Sequence, residues 1–331
     1  MFAKECEISE RIQKYEALLA RLQPNHPILP TVLAEYKTWL AGYKGEKSLV
    51  FYLSMLPDPK YLIFHNIRLL LGKYFFQIDY LILCEAFVLV LEVKNRIGEY
   101  FFEKYLNQAT LKYNGQDERV KNPVLQARLQ AMKLKKWLQK HNCPDIPVYH
   151  LFVNSNGKAT IRVERGNEQI LQNICNSESL IEKITQIANY NKKEILDLKE
   201  IRKMKRLILT NHTPEDFEIL NHFHLLPNDI PSGVQCPPPC NFIPMKYEYG
   251  TWICPNCQFK SKTAHIQAIY DHFLLIKPSI TNSELRQLLH INSPSVANKL
   301  LKKMDLTFSG RKKSKIYFPK NGCIPRTRTS S

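Results

Sequence analysis

The segment FQIDYLILCEAFVLVLEVKN, residues 76–95, constrains the fold more than any other part of this 331-residue chain. It is nearly all aliphatic and aromatic, as strands covered on both faces are. Within it stand Gln77, Asp79, Glu92 and Lys94. Glu85 and Ala86 lie midway between two apolar runs, so the segment reads as an antiparallel hairpin turning there. Opposed residues then have numbers summing to 171, which sets Asp79 against Glu92 and Gln77 against Lys94. Opposed side chains share a sheet face, so all four polar groups are expected on one face near the hairpin's open end.

Two carboxylates about 5 Å apart repel unless positive charge sits between them. A hard divalent cation with oxygen ligands, Mg²⁺ or Mn²⁺, would satisfy both Asp79 and Glu92 and keep them ionised. Lys94 beside it would polarise water or neutralise charge on a phosphate. That is equipment for phosphodiester hydrolysis. The competing reading is a structural salt bridge of Lys94 with Asp79 or Glu92.

Around this hairpin the chain alternates helix and strand. Residues 9–22 have helical periodicity, and PNHPILP ends it. A second helix is expected from about Val32 to Met55, then a strand, YLIFHNIRLLL. Asn122-Pro123 is a helix start, a cap followed by a proline whose missing N–H costs nothing there. The helix runs on through VLQARLQAMKLKKWLQKH. Leu125, Leu129 and Met132 are read as its buried face, which leaves Gln126 at the surface. VYHLFVN, after Pro147, is a further strand. The pattern is that of an α/β layer domain.

These residues resemble a known family. Gly45-Glu46 on a helix, Ile78-Asp79, Glu92-Val93-Lys94-Asn95, Gly98 and Asn122-Pro123-Val124-Leu125-Gln126 are similar, in order and spacing, to the nuclease-related domain (NERD) branch of the restriction-endonuclease-like PD-(D/E)xK nucleases. The family's usual tryptophan before Asn-Pro is replaced here by Tyr113. The resemblance covers roughly residues 38–155 and implies a mixed sheet flanked by helices, with the site at one sheet end. It further implies Asp79 and Glu92 as metal ligands, Lys94 as the catalytic lysine, Glu46 as a helix acid acting on Lys94 or on the metal through water, and Gln126 approaching the same site. Glu46 also precedes Leu49, Val50 and Leu53 at helical spacing, on a stripe facing the core or at its edge.

CPPPCNFIPMKYEYGTWICPNC places Cys236, Cys240, Cys254 and Cys257 as two close pairs joined by a hairpin-like segment. This resembles a zinc ribbon, and four thiolates would make a closed, structural Zn²⁺ site. Cys6, Cys84, Cys143, Cys175 and Cys323 have no spacing logic and read as plain thiols. His265 and His272 read as core or surface side chains rather than ligands.

The formal net charge is +17. From Gly233 to the end there are 15 Lys and Arg against four acids, a net +11. Clustered positive charge favours a polyanion. HIQAIYDHFLLI, NSELRQLL and SPSVANKLLKKM are three short helical patterns, and LTFSGRKKSKIYFP is a hairpin with a basic loop. Together they resemble a winged helix-turn-helix, with a helical protein-interaction unit as the competing reading. Ser295, Asn298, Lys299 and Lys302 would face outward on the third helix, and Arg311, Lys312, Lys313 and Lys315 would track phosphate from the wing.

The expected organisation is an N-terminal helical segment (1–37), a nuclease-related domain (38–165), a helical spacer (166–232), a zinc ribbon (233–262) and a basic winged-helix-like domain (263–331). The expected function is a metal-dependent nuclease acting on nucleic acid, DNA in the first place. Its rivals are a catalytically inactive nucleic-acid-binding protein on the same fold, and a membrane-surface adaptor, which no amphipathic helix with large apolar anchors supports. With no signal-peptide core and no cysteine scaffold, a reducing cytoplasm is expected and no membrane partner.

Overall fold

The computed structural model of the chain describes residues 1–237, 240, 243–311 and 314–320. These divide into two compact units: Met1–Ile8 with Thr38–Glu215, and Ser9–Lys37 with the chain from Asp216 onward.

The first unit is built on a six-stranded mixed sheet. Strand β1 (Phe2–Lys4) comes before helix α1 (Glu10–Arg21), which belongs to the second unit. Helix α2 (Leu29–Leu53) spans the division at Thr38. Strands β2 (Leu62–Leu71), β3 (Tyr74–Leu83) and β4 (Val88–Lys94) follow as an antiparallel meander. A second, four-stranded sheet is made by β5 (Gly98–Phe102), β6 (Ala109–Tyr113), β7 (Gln116–Val120) and, beyond helix α3 (Pro123–Lys140) and strand β8 (Val148–Asn154), β9 (Ala159–Val163). Strand β10 (Ile174–Asn176) and helices α4 (Leu180–Tyr190) and α5 (Leu198–Asn211) complete the unit. The main sheet has the order β1-β2-β3-β4-β8-β10, with β4–β8 and β8–β10 parallel.

The hairpin register is the expected one. Tyr80 opposes Leu91, Leu81 opposes Val90, and Leu83 opposes Val88, around a turn closed by Cys84 N–H to Phe87 O at 3.1 Å. Both faces of the sheet are covered, which is why β4 opens with the unbroken apolar run Val88–Leu91. On one face Tyr80, Leu89, Leu91 and Val93 pack with Leu49 and Leu53 of α2 and with Leu180 and Ile184 of α4. On the other Leu81, Val88 and Val90 pack with Leu134 and Trp137 of α3 and with Met204 and Ile208 of α5. Helices α4 and α5 of the segment read as a spacer therefore pack into these cores.

Two expectations about side-chain direction change. Phe64 and Ile67 of β2 lie in the same core although three residues apart, as do Ile78 and Leu81 of β3. Side-chain alternation is interrupted on both strands between those residues, at Asn66, whose φ is +51°, and at Asp79. Beyond this break Gln77 is exposed and pairs with Arg68, so it does not join Lys94. On α3 the buried face is Ala127, Ala131, Leu134, Trp137 and Leu138, whereas Leu129 and Met132 are 52% and 49% exposed. The two alanines let the helix approach the sheet while the largest side chains of the C-terminal half anchor it, which turns the helix away from the expected stripe.

In the second unit, helix α6 (Ile219–His222) is followed by strands β11 (Val234–Gln235), β12 (Pro244–Glu248), β13 (Thr251–Ile253) and β14 (Lys260–Ser261), which form one antiparallel sheet. Tyr249 and Gly250 close the β12–β13 hairpin with φ of +46° and +84°, the pattern of a tight turn with both central residues left-handed. Then come helix α7 (Ala264–Leu275), strand β15 (Ile280–Thr281), helices α8 (Asn282–Leu289) and α9 (Pro294–Lys302), and strands β16 (Leu306–Ser309) and β17 (Ile316–Pro319), sheet order β15-β17-β16. Trp252, Ile269, Leu285 and Leu301 share its core. Arg21 of α1 and Asp271 of α7 form a buried ion pair at 2.8 Å. No helix among the described residues is long and apolar enough to cross a membrane.

Candidate active site and cysteine cluster

The β3–β4 ladder ends at Tyr80 and Leu91. One residue further, the Asp79 carboxylate accepts a hydrogen bond from the backbone N–H of Val93 at 2.8 Å. On β4, Glu92 is 8% exposed and its Oε1 accepts from Lys94 Nζ at 2.5 Å. Parallel pairing sets Glu92 beside Phe152 and Lys94 beside Asn154 of β8. By alternation along β4, Glu92 lies on the face that carries Val88 and Val90.

Helix α2 brings the third carboxylate. Gly45 lies so close to the end of β4 that a Cβ there would be 2.4 Å from Asn95 Cβ and 2.7 Å from Ser155 Oγ. Only glycine permits that approach, and it carries Glu46 to the site. Asn95 ties the same helix down by donating to Ala41 O at 2.9 Å.

Charge is concentrated and mutually felt. Burial first, then the like charges of Glu92 and Glu46, drive the Asp79 carboxyl well above the ordinary aspartate range, against the pull of Lys94 and the Val93 N–H. Burial also lifts Glu46 to about 7, with Glu92 adding to it and Lys94 and Lys4 opposing. Burial works against the Lys94 ammonium, but Glu92 and Asp79 more than offset it and hold its pKa above the usual lysine value. The charges of Asp79, Glu92, Glu46 and Lys94 thus act on one another from β3, β4 and α2.

Gln126 lies in the first turn of α3. Asn122 caps the helix, its Oδ1 accepting from the N–H groups of Val124 and Leu125 and its Nδ2 donating to Asn107 O. Val124 packs in one core with Phe152, the neighbour of Glu92. Gln126 Oε1 is buried and has no hydrogen-bond partner among the described residues. An orphaned amide oxygen is costly unless something positive meets it.

One participant was not legible. His65 of β2 is 2% exposed, and its Nε2 lies 2.6 Å from Glu46 Oε2. Such a carboxylate favours imidazolium, yet burial, Lys4 and Lys47 push the ring down to about 4. The only signal was a lone histidine in an apolar strand, a pattern that packing alone explains just as well.

In the second unit the sulfurs of Cys236, Cys240, Cys254 and Cys257 all lie within 4.8 Å of one another. They are the one such group of three or more potential ligands among the described residues, and they could hold a metal such as zinc. The backbone N–H groups of Cys257 and Asn256 help to keep the Cys254 thiol down at about 7. His265 and His272 are buried and stand outside this group; His265 Nδ1 accepts from Trp252 Nε1 at 3.1 Å. Ser295, Asn298, Lys299 and Lys302 are exposed on α9, as is Arg311 beyond β16. Lys315 Nζ sits 4.0 Å over the Phe308 ring. Lys312, Lys313 and Cys323 lie outside the described residues.

The family model of NERD, the nuclease-related domain, matches residues 41–155. That span contains Gly45, Glu46, His65, Asp79, Glu92, Lys94 and Gln126, so the carboxylate–lysine assembly lies within a nuclease-related domain. No curated protein matches the chain, and no solved structure does.

Proposed function

We propose that the chain is a divalent-metal-dependent nuclease that hydrolyses phosphodiester bonds in nucleic acid, DNA in the first place. The observation that carries this reading is the assembly of Asp79, Glu92 and Lys94 at the end of the β3–β4 ladder, inside the span matched as nuclease-related. A buried carboxyl driven up by burial and by the like charges of Glu92 and Glu46, as Asp79 is, costs stability, and such perturbed groups cluster at functional sites. Carboxylate oxygens with an unpartnered amide oxygen suit a hard cation, Mg²⁺ or Mn²⁺. Asp79 and Glu92 would hold it and Gln126 would approach it; bound, it would supply Lewis-acid stabilisation of phosphoryl charge. Lys94 stays an ammonium and faces that charge.

The described order of α7, β15, α8, α9, β16 and β17 supports a winged-helix reading of residues 263–331, with α9 entering the major groove and the β16–β17 loop on phosphate. The four thiolates would bind structural Zn²⁺, since they leave no open coordination position. A second reading, a catalytically inactive nucleic-acid-binding protein, is favoured by the Lys94–Glu92 ion pair at 2.5 Å, in which the ammonium is a structural partner of the carboxylate. Cleavage assays with Mg²⁺ or Mn²⁺ on linear, circular and structured DNA and RNA, with Lys94→Ala as control, separate the two. Metal-dependent cleavage lost in Lys94→Ala supports the nuclease; binding without cleavage by the wild type supports the second reading.

A further inference from the structure

The two oxygens of Glu46 are in different situations. Oε2 is held 2.6 Å from His65 Nε2, while among the described residues Oε1 makes no hydrogen bond. The carboxylate is not wholly sealed, its side chain being 25% exposed. The rest of the arrangement is fixed from several elements. Tyr80 of β3 donates its hydroxyl to Glu46 O at 2.9 Å, and its ring centroid lies 5.0 Å from that of His65. Lys4 of β1 donates to His65 O at 2.8 Å and to Asn66 O at 3.2 Å. As its neutral Nε2–H tautomer, the ring shares that proton with Oε2 of the ionised Glu46 carboxylate. An imidazole that orients and shares a proton with a carboxyl whose other oxygen is open is the arrangement of an oriented proton acceptor.

We propose that His65 is a positioning residue for proton transfer in this site, holding one oxygen of Glu46 so that the other accepts a proton from the attacking water. The inference rests on the nuclease reading. The water proton passes to Glu46 Oε1 as the water oxygen bonds to phosphorus. The phosphorus–oxygen bond to the leaving strand breaks, and the departing oxygen takes a proton from solvent water. Glu46 then returns its proton to solvent, so the protein ends as it began. Among the described residues, the groups that face the pair and set its titration include Lys4, Cys6 and Glu7 from the N-terminal segment, Lys47 from α2, Asp79 and Tyr80 from β3, and Glu92 and Lys94 from β4.

The test has two arms on the full chain. Ring ¹⁵N NMR of His65 is followed from pH 5 to pH 9 without metal, in the wild type and in Glu46→Gln. A step in the His65 shifts near pH 7 that disappears in Glu46→Gln supports the shared proton, and indistinguishable titrations overturn it. In the second arm, cleavage by His65→Gln, which keeps a donor for Glu46, and by His65→Phe, which does not, is measured against pH. The expectation is a loss of about a hundredfold in kcat for His65→Phe. KM should stay within twofold, the acidic limb should be displaced, and His65→Gln should recover part of the rate. A folded His65→Phe with unchanged kcat and pH profile overturns the proposal while leaving the nuclease reading intact. If the wild type cleaves nothing, the nuclease reading falls and with it the catalytic role of His65; the NMR arm then decides only whether the proton is shared.

Discussion

Asp79 takes the backbone N–H of Val93 with its side chain, one residue beyond the last ladder pair, Tyr80 with Leu91. Continued in register, Val93 would oppose Ile78. The carboxylate stands in for the main chain where β2 and β3 lose their alternation at Asn66 and Asp79. The sheet thereby opens at the point where Glu92 and Lys94 emerge.

Asp79→Ala should abolish metal-dependent cleavage while nucleic-acid binding survives, since the basic surfaces lie on other residues. Cleavage assays and fluorescence anisotropy on the same preparation check this. Parallel loss of both would mean that Asp79 serves the fold.

The charge state of Glu46 makes the metal-free protein pH-sensitive. In the unfolded chain the carboxyl ionises near 4.5, in the folded protein near 7. Between these values the folded state binds the extra proton, so this group's contribution falls as pH rises through that window. Glu46→Gln removes the penalty. Its stability relative to wild type should be greater at pH 8 than at pH 5 by about 1–3 kcal/mol, measured by urea unfolding in chelator. An equal offset at both pH values would show that Glu46 titrates normally.

Gly45→Ala would force a methyl to within 2.4 Å of Asn95 Cβ. Either α2 lifts or the end of β4 shifts, and overpacking of this kind costs about 1–3 kcal/mol. Urea unfolding should show the loss. Cleavage should fall more than stability accounts for, because Glu46 is the next residue.

Metal analysis of the purified protein should find one zinc per chain, and Cys254→Ser should lose it and lower the melting temperature of the unit that contains β11–β14. A zinc-free protein with the same melting curve would remove the site.

Lys299→Ala with Lys302→Ala should weaken nucleic-acid binding and make the slope of log K against log salt shallower by about 2. An unchanged slope would take α9 off the phosphate path.

Much of this molecule was legible along the chain. The hairpin register, the Asn122-Pro123 cap and the cysteine pairs are encoded by residues a few positions apart, where strand and helix periods act directly. The approach of α2 to β4 was visible only as a glycine before an acid. Other features were set by contacts across long stretches of chain. The bond of His65 to Glu46, the break of alternation at Asn66 and Asp79, and the burial of α4 and α5 on opposite sheet faces depend on which surfaces the assembled sheet leaves to be covered. The face of α3 was decided the same way, because Leu129 and Met132 are as apolar as the residues that won. Local pattern specifies which groups can be neighbours in one element; only close packing between elements selects which of them meet.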